Sequence, residues 1–143
     1  MLKYLCLALV MLMPASNAVA SDNYGEQKVV YHMNYGDSSR ISATFSNISN
    51  HIQAVGEENI DVRVVVHGAA IEYFTAAQDD NQKQVALDTL RLSGARFIIC
   101  GNTLDGYNIT REDLYDVTAE DVVQAGLPEI VRLQQQGFSY VRP

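Results

Sequence analysis

Positive charge is scarce in this chain, with 10 lysines and arginines against 17 aspartates and glutamates and a net charge of −7. Nucleic acid and anionic membrane surfaces both favour basic proteins, so neither is expected as a partner. Tryptophan is absent, as are low-complexity tracts and repeats at a solenoid period. The longest apolar run, Leu5 to Met13, is roughly ten residues, short of the ~20 that a spanning helix needs. No strand is followed by G-x-G-x-x-G, and there is neither a phosphate loop nor a G-x-S-x-G elbow. The three histidines and two cysteines show no C-x-x-C or H-x-x-x-H spacing. No metal and no cofactor is therefore expected.

What is present begins with an export signature. Residues 1–20 read as a signal peptide, with Lys3 as the basic n-region, Leu5 to Met13 as the apolar core and Ala18-Val19-Ala20 as the cleavage site. Its removal leaves residues 21–143, enough for one α/β domain with a real core. The expected product is a soluble periplasmic protein with no membrane association. Cys6 departs with the signal, and Cys100 then becomes the sole thiol. One thiol in an oxidising compartment cannot close an internal disulfide. It is buried and inert, paired between chains, or kept reactive.

Along the mature chain, β-branched and helical patterns alternate. Lys28–Met33 reads as a first strand, and Asp37 or Ser38 is placed to cap the helix that follows. Ile41, Phe45, Ile48, Ile52 and Val55 recur at steps of one helical face, and Gly56 ends the run. Asp61–His67 reads as a second strand, and its Val64–Val66 run suits a strand covered on both faces. Gly68-Ala69-Ala70 opens a turn or short helix. A helix over Asn81–Leu92 is expected to turn Val85, Ala86, Leu87 and Leu90 inward, with Ser93-Gly94 as its stop. Arg96–Cys100 is a third strand, followed by a loop to Asn108 in which a helix starting near Thr103 would aim free amides at Cys100. Asp121–Gln124 is a candidate fourth strand. The last helix starts at Gly126-Leu127-Pro128-Glu129, with Leu127, Ile130, Val131 and Leu133 inward, and Phe138–Val141 closes the chain as a strand. This alternation predicts a three-layer α/β/α fold around a mainly parallel five-stranded sheet.

In such a sheet, functional groups collect beyond the carboxyl ends of the strands. Asn34 stands there after the first strand, His67-Gly68 after the second, and Cys100-Gly101-Asn102 after the third. Cys100 is the candidate nucleophile or carrier thiol, since the thiolate is the attacking form, and His67 is its candidate ion-pair partner. The alternative is a small buried hydrophobe at a strand end. His32, inside the first strand, carries less functional weight, and His51 reads as a surface or boundary residue of the first helix. Asn47-Ile48-Ser49 and Asn108-Ile109-Thr110 match the glycosylation pattern, which matters in a eukaryotic secretory route.

Val65-Val66-His67-Gly68-Ala69-Ala70 and Phe97-Ile98-Ile99-Cys100-Gly101-Asn102-Thr103 resemble segments of the DsrE/DsrF-like family of the sulfur-relay class, in its exported branch. Val122–Gly126 and the ending from Leu133 to Pro143 extend the resemblance across almost everything from Lys28 onward. The resemblance implies a five-stranded parallel sheet in three layers and assembly into homotrimers or homohexamers. It implies a persulfide-carrying cysteine after the third strand, matched here by Cys100, with His67 and Asn102 in the same pocket. Gly101, Gly68 and Asn34 complete the expected binding set, and a sulfur donor or acceptor protein is the expected partner. The rival expectation is a non-catalytic oligomeric module that binds a small ligand or partner and keeps Cys100 buried.

Overall fold

Strands Gln27–Met33 (β1), Ile60–Val66 (β2), Arg96–Cys100 (β3), Val122–Val123 (β4) and Ser139–Val141 (β5) pair into one all-parallel sheet in the order β4-β3-β2-β1-β5. The computed structural model describes residues 24–143, so the signal expected over residues 1–20 lies outside the described residues. Helices Ser38–Val55 (α1), Ile71–Ala76 (α2), Asn81–Leu92 (α3), Gly101–Tyr107 (α4) and Gly126–Gln135 (α5) fill the crossovers. Among the described residues, no helix is long and apolar enough to cross a membrane.

The strand order decides which face each helix covers. From β1 to β4 the chain steps in one direction, and right-handed crossovers lay the helices of those steps on one face. The step from β4 to β5 runs the opposite way, so α5 falls on the other face. Alternating strand residues divide accordingly. Val29, Tyr31, Met33, Val62, Val64, Val66, Phe97 and Ile99 join Ile41, Phe45, Ile48, Ile52, Phe74 and Leu87 in the larger core. Val30 and Val65 join Ile130, Leu133 and Phe138 in the smaller one, under α5.

Local signals set the helix ends. Asp37 caps α1, its carboxylate Oδ1 accepting the Arg40 N–H at 2.7 Å, and Gly56 leaves the helix at φ 94°. Asp37→Ala removes a partner for one of the unpaired first-turn amides and is expected to lower stability by about 1 kcal/mol. A fall in the urea midpoint with an unchanged m-value would show it. Asp80 caps α3 in the same way, accepting from the Gln82 and Lys83 N–H groups.

Several expectations need correction. Val85 is exposed. It lies two positions from Leu87, about 200° around the helix, so it cannot share the stripe of Leu87 and Leu90. Leu127 and Val131 are also exposed, while Gly126, Glu129, Ile130 and Leu133 are buried. Among the described residues, α5 is the one helix on its face, and no adjacent helix covers its flanks. The expected loop after Cys100 is the helix α4, and it begins at Gly101 rather than near Thr103. β2 ends at Val66, leaving His67 just beyond the strand. The fourth strand shrinks to two residues, because Thr118 and Asp121 close a capping box around a 3-10 turn immediately before it.

Candidate functional site

Three parallel strands deliver their last residues to one edge, and the register shows which of those residues share a face. Val65 pairs with Ile98 and Val66 with Ile99, so Cys100 comes up beside His67 on strands about 4.8 Å apart. Both side chains fall on the α5 side, in phase with Val65. The first residue of α5 settles this placement. A Cβ on Gly126 would lie 3.2 Å from Val65 Cγ1, 3.3 Å from Cys100 Cβ and 3.6 Å from His67 Cβ. Glycine at that position lets α5 seat directly over the thiol and the imidazole.

Cys100 is the residue before α4 and is 6% exposed. It is the one cysteine among the described residues, and it is free. Gly101 packs closely, since a Cβ there would stand 3.0 Å from the Val123 carbonyl oxygen and the backbone there would have to give by a few tenths of an ångström. The Asn102 N–H donates to the Gln124 carbonyl at 3.0 Å, tying α4 to the strand beside it. That amide is therefore committed and does not point at the sulfur, as a helix start near Thr103 would have had it. The Asn102 side chain is exposed. Gly68 takes φ 56°, and its N–H donates to Thr103 Oγ1 at 3.0 Å, fixing the exit of β2 against α4. Asn34 Oδ1 accepts from the Arg142 guanidinium at 2.8 Å.

The largest departure from expectation is His32. It is 8% exposed, and its Nε2 lies 2.6 Å from His67 Nε2. Its Nδ1 lies 2.6 Å from the Tyr140 hydroxyl. The two rings meet edge to edge, with centroids 4.8 Å apart and planes inclined by 23°. A continuous line of hydrogen bonds thus runs from β5 through β1 to the residue after β2, ending beside Cys100. Sequence periodicity places His32 inside a strand but cannot reveal its partner, because β5 returns to the side of β1 from 108 residues away. The sequence offers strand phase alone, with His32 on the face of Val30; the pairing of Val30 with Tyr140 comes from the sheet order.

Burial disfavours the charged form of both rings. Burial, His67 and Arg142 together hold the His32 imidazole below its ordinary value of 6.5. Burial and Arg142 do the same to His67. At a 2.6 Å separation a single proton lies between the two Nε2 atoms. A neutral imidazole next to a thiol can accept its proton, and the arrangement suits base-assisted thiol chemistry. His51 is not part of this site. Its ring bridges Tyr31 and Gln27, at 2.8 and 2.7 Å. Among the described residues, no group of three or more His, Cys, Asp or Glu is placed to hold a metal ion.

A family model described as the DsrE/DsrF-like family matches residues 27–143, from the start of β1 to the end of the chain. The chain belongs to the DsrE/DsrF-like family. Among solved structures, it is similar to a protein of unknown function from Methanobacterium thermoautotrophicum. The two are 28% identical with a TM-score of 0.72, over 82% of this chain and 100% of that one. No curated protein gives a significant match. Family membership associates the chain with sulfur-relay-related function, and the all-parallel five-stranded α/β fold agrees with the archaeal structure.

Proposed function

We propose that the protein handles sulfane sulfur, with Cys100 accepting one sulfur atom as Cys–S–SH and passing it to an acceptor thiol. The observation that carries this reading is the placement of Cys100 at the carboxyl end of β3, on the same face as His67 and beneath Gly126. The Cys100 thiolate attacks the terminal sulfur of a polysulfide. A new S–S bond forms, the donor S–S bond breaks, and the donor leaves as an anion shorter by one sulfur. An acceptor thiolate then attacks the outer sulfur of the persulfide, and Cys100 departs as thiolate. His67, depressed by burial and Arg142, is available as the neutral base for the first ionisation. Assembly into trimers or hexamers, a periplasmic location and a donor or acceptor protein as partner belong to the same proposal.

Intact-mass measurement after incubation with polysulfide tests it. A gain of about 32 Da, one sulfur atom, is expected. Reduction should reverse it, and Cys100→Ser should abolish it. No adduct, or an adduct that survives Cys100→Ser, would sink the reading.

The burial of Cys100 favours a second reading, a non-catalytic oligomeric module whose strand-end pocket binds a small ligand or partner. In that case a thiol reagent labels Cys100 in the native protein only as fast as the protein unfolds. Labelling much faster than unfolding discards this alternative.

A further inference from the structure

The hydrogen-bonded line behind His67 has no role in the reading above. Its first member, Tyr140, is 43% exposed, while His32 is 8% exposed and Cys100 6%. The line therefore leads from water through His32 to the His67 imidazole, which stands on the strand end beside the buried thiol and shares the space under Gly126 with it. We propose that His32 and Tyr140 are positioning residues that hold the His67 ring with Nδ1 towards Cys100 and allow it to exchange tautomers as the thiol ionises. The inference rests on Cys100 being the reacting thiol.

Two proton arrangements satisfy the observed contacts. In the first, His67 Nε2–H donates to His32 Nε2, and His32 Nδ1–H donates to the Tyr140 oxygen. His67 Nδ1 is then bare and can accept the S–H of Cys100. In the second, the Tyr140 hydroxyl donates to His32 Nδ1, and His32 Nε2–H donates to His67 Nε2. His67 Nδ1 then carries a hydrogen and can donate to a thiolate. The thiol suits the first arrangement and the thiolate the second.

Passing between them balances. The Cys100 proton moves to His67 Nδ1, the His67 Nε2 proton to His32 Nε2, the His32 Nδ1 proton to Tyr140, and the Tyr140 hydroxyl proton to water. The new charge resides on sulfur alone, and neither imidazole becomes a cation. That matters here, because burial and Arg142 oppose an imidazolium at both positions. Cys100 thus becomes a thiolate with an N–H donor beside it, while both rings stay neutral.

The charged neighbours leave the line dominant. Arg142 follows β5 and is held by Asn34. From α5, Glu129 and Arg132 pair with each other at 2.5 Å. On β2, Arg63 pairs with Asp61 towards the opposite end of the strand. Lys28 stands at the far end of β1, Arg96 at the start of β3, and Asp105 and Tyr107 are exposed on α4. Among the described residues, no carboxylate is hydrogen-bonded to His32, His67 or Tyr140.

The test is the pH profile of Cys100 alkylation by iodoacetamide in the native full-length protein. His32→Leu should slow alkylation at neutral pH on the order of tenfold and move the half-maximal rate to higher pH. His32→Gln should restore most of the rate, since its amide can donate or accept near the Nε2 position. Tyr140→Phe, at a partly exposed edge site that tolerates the change, should give an intermediate loss with the same direction of shift. Identical profiles for native protein, His32→Leu and Tyr140→Phe would overturn the inference, as would a Cys100 that resists alkylation until the protein unfolds. A normal alkylation profile without any sulfur adduct would instead retire the carrier reading and leave this one standing.

Discussion

Replacing Phe74 with alanine is expected to lower the unfolding free energy by about 3–5 kcal/mol, the range for deleting a buried ring. Phe74 is fully buried and meets Phe97 edge-to-face at 5.3 Å. Phe97 in turn meets Phe45 at 6.0 Å, and Phe45 meets Tyr73 at 5.3 Å. These rings join α1, α2 and β3 at the centre of the larger core. At six residues, α2 is too short to persist without that packing. The Phe74 carbonyl also accepts the Tyr115 N–H at 3.1 Å, so the residue anchors the segment between α4 and β4. Small domains have about 5–15 kcal/mol in hand, so the loss is a large share of the total. Urea denaturation measures it as a lowered midpoint at constant slope. A loss under about 1 kcal/mol would mean that the neighbours collapse into the vacated space. Phe97 precedes Cys100 by three residues on the same strand, so the variant should also label faster at the thiol.

Most of the fold was legible because its signals are local. The face of Ile41, Phe45, Ile48 and Ile52, the cap at Asp37 and the stop at Gly56 all lie within one stretch of chain, and α1 forms where they place it. The bounds of α3 and β3 follow for the same reason. Burial on α5 was not legible, since whether Leu127 and Val131 are covered depends on an adjacent helix, and the described residues supply none. The site divides along the same line. Cys100 and His67 could be paired from the strand alternation, because β2 and β3 are consecutive and neighbouring strands. Tyr140 and His32 meet only because β5 crosses back past three strands to the side of β1. That crossing is a tertiary outcome, and no residue spacing announces it.

The same line of imidazoles makes the protein sensitive to mild acid, and the sign can be worked out. Both His32 and His67 are held below 6.5 in the folded state, chiefly by burial. In the unfolded chain they titrate near that ordinary value. Below it the unfolded state binds more protons than the folded one, so stability falls as pH falls. The loss begins near 6.5 and continues until the folded pair itself takes up protons. While the 2.6 Å contact holds, the two facing Nε2 atoms have room for one proton, and a second requires the rings to part. Each proton of difference costs about 1.4 kcal/mol per pH unit, and up to two are at stake. The carboxylates act in a separate window. Asp80 and Asp113 are held below 3.8 and Glu112 below 4.5, each chiefly by hydrogen bonds, so their contribution is present above those values and lost at lower pH. Urea midpoints between about pH 7 and about pH 5 therefore isolate the histidines. A steady decline is expected for the native protein, and a much flatter one when His32 and His67 are both replaced by glutamine. If the double variant declines as steeply as the native protein, the acid sensitivity lies elsewhere and the neutral imidazole pair is not its source.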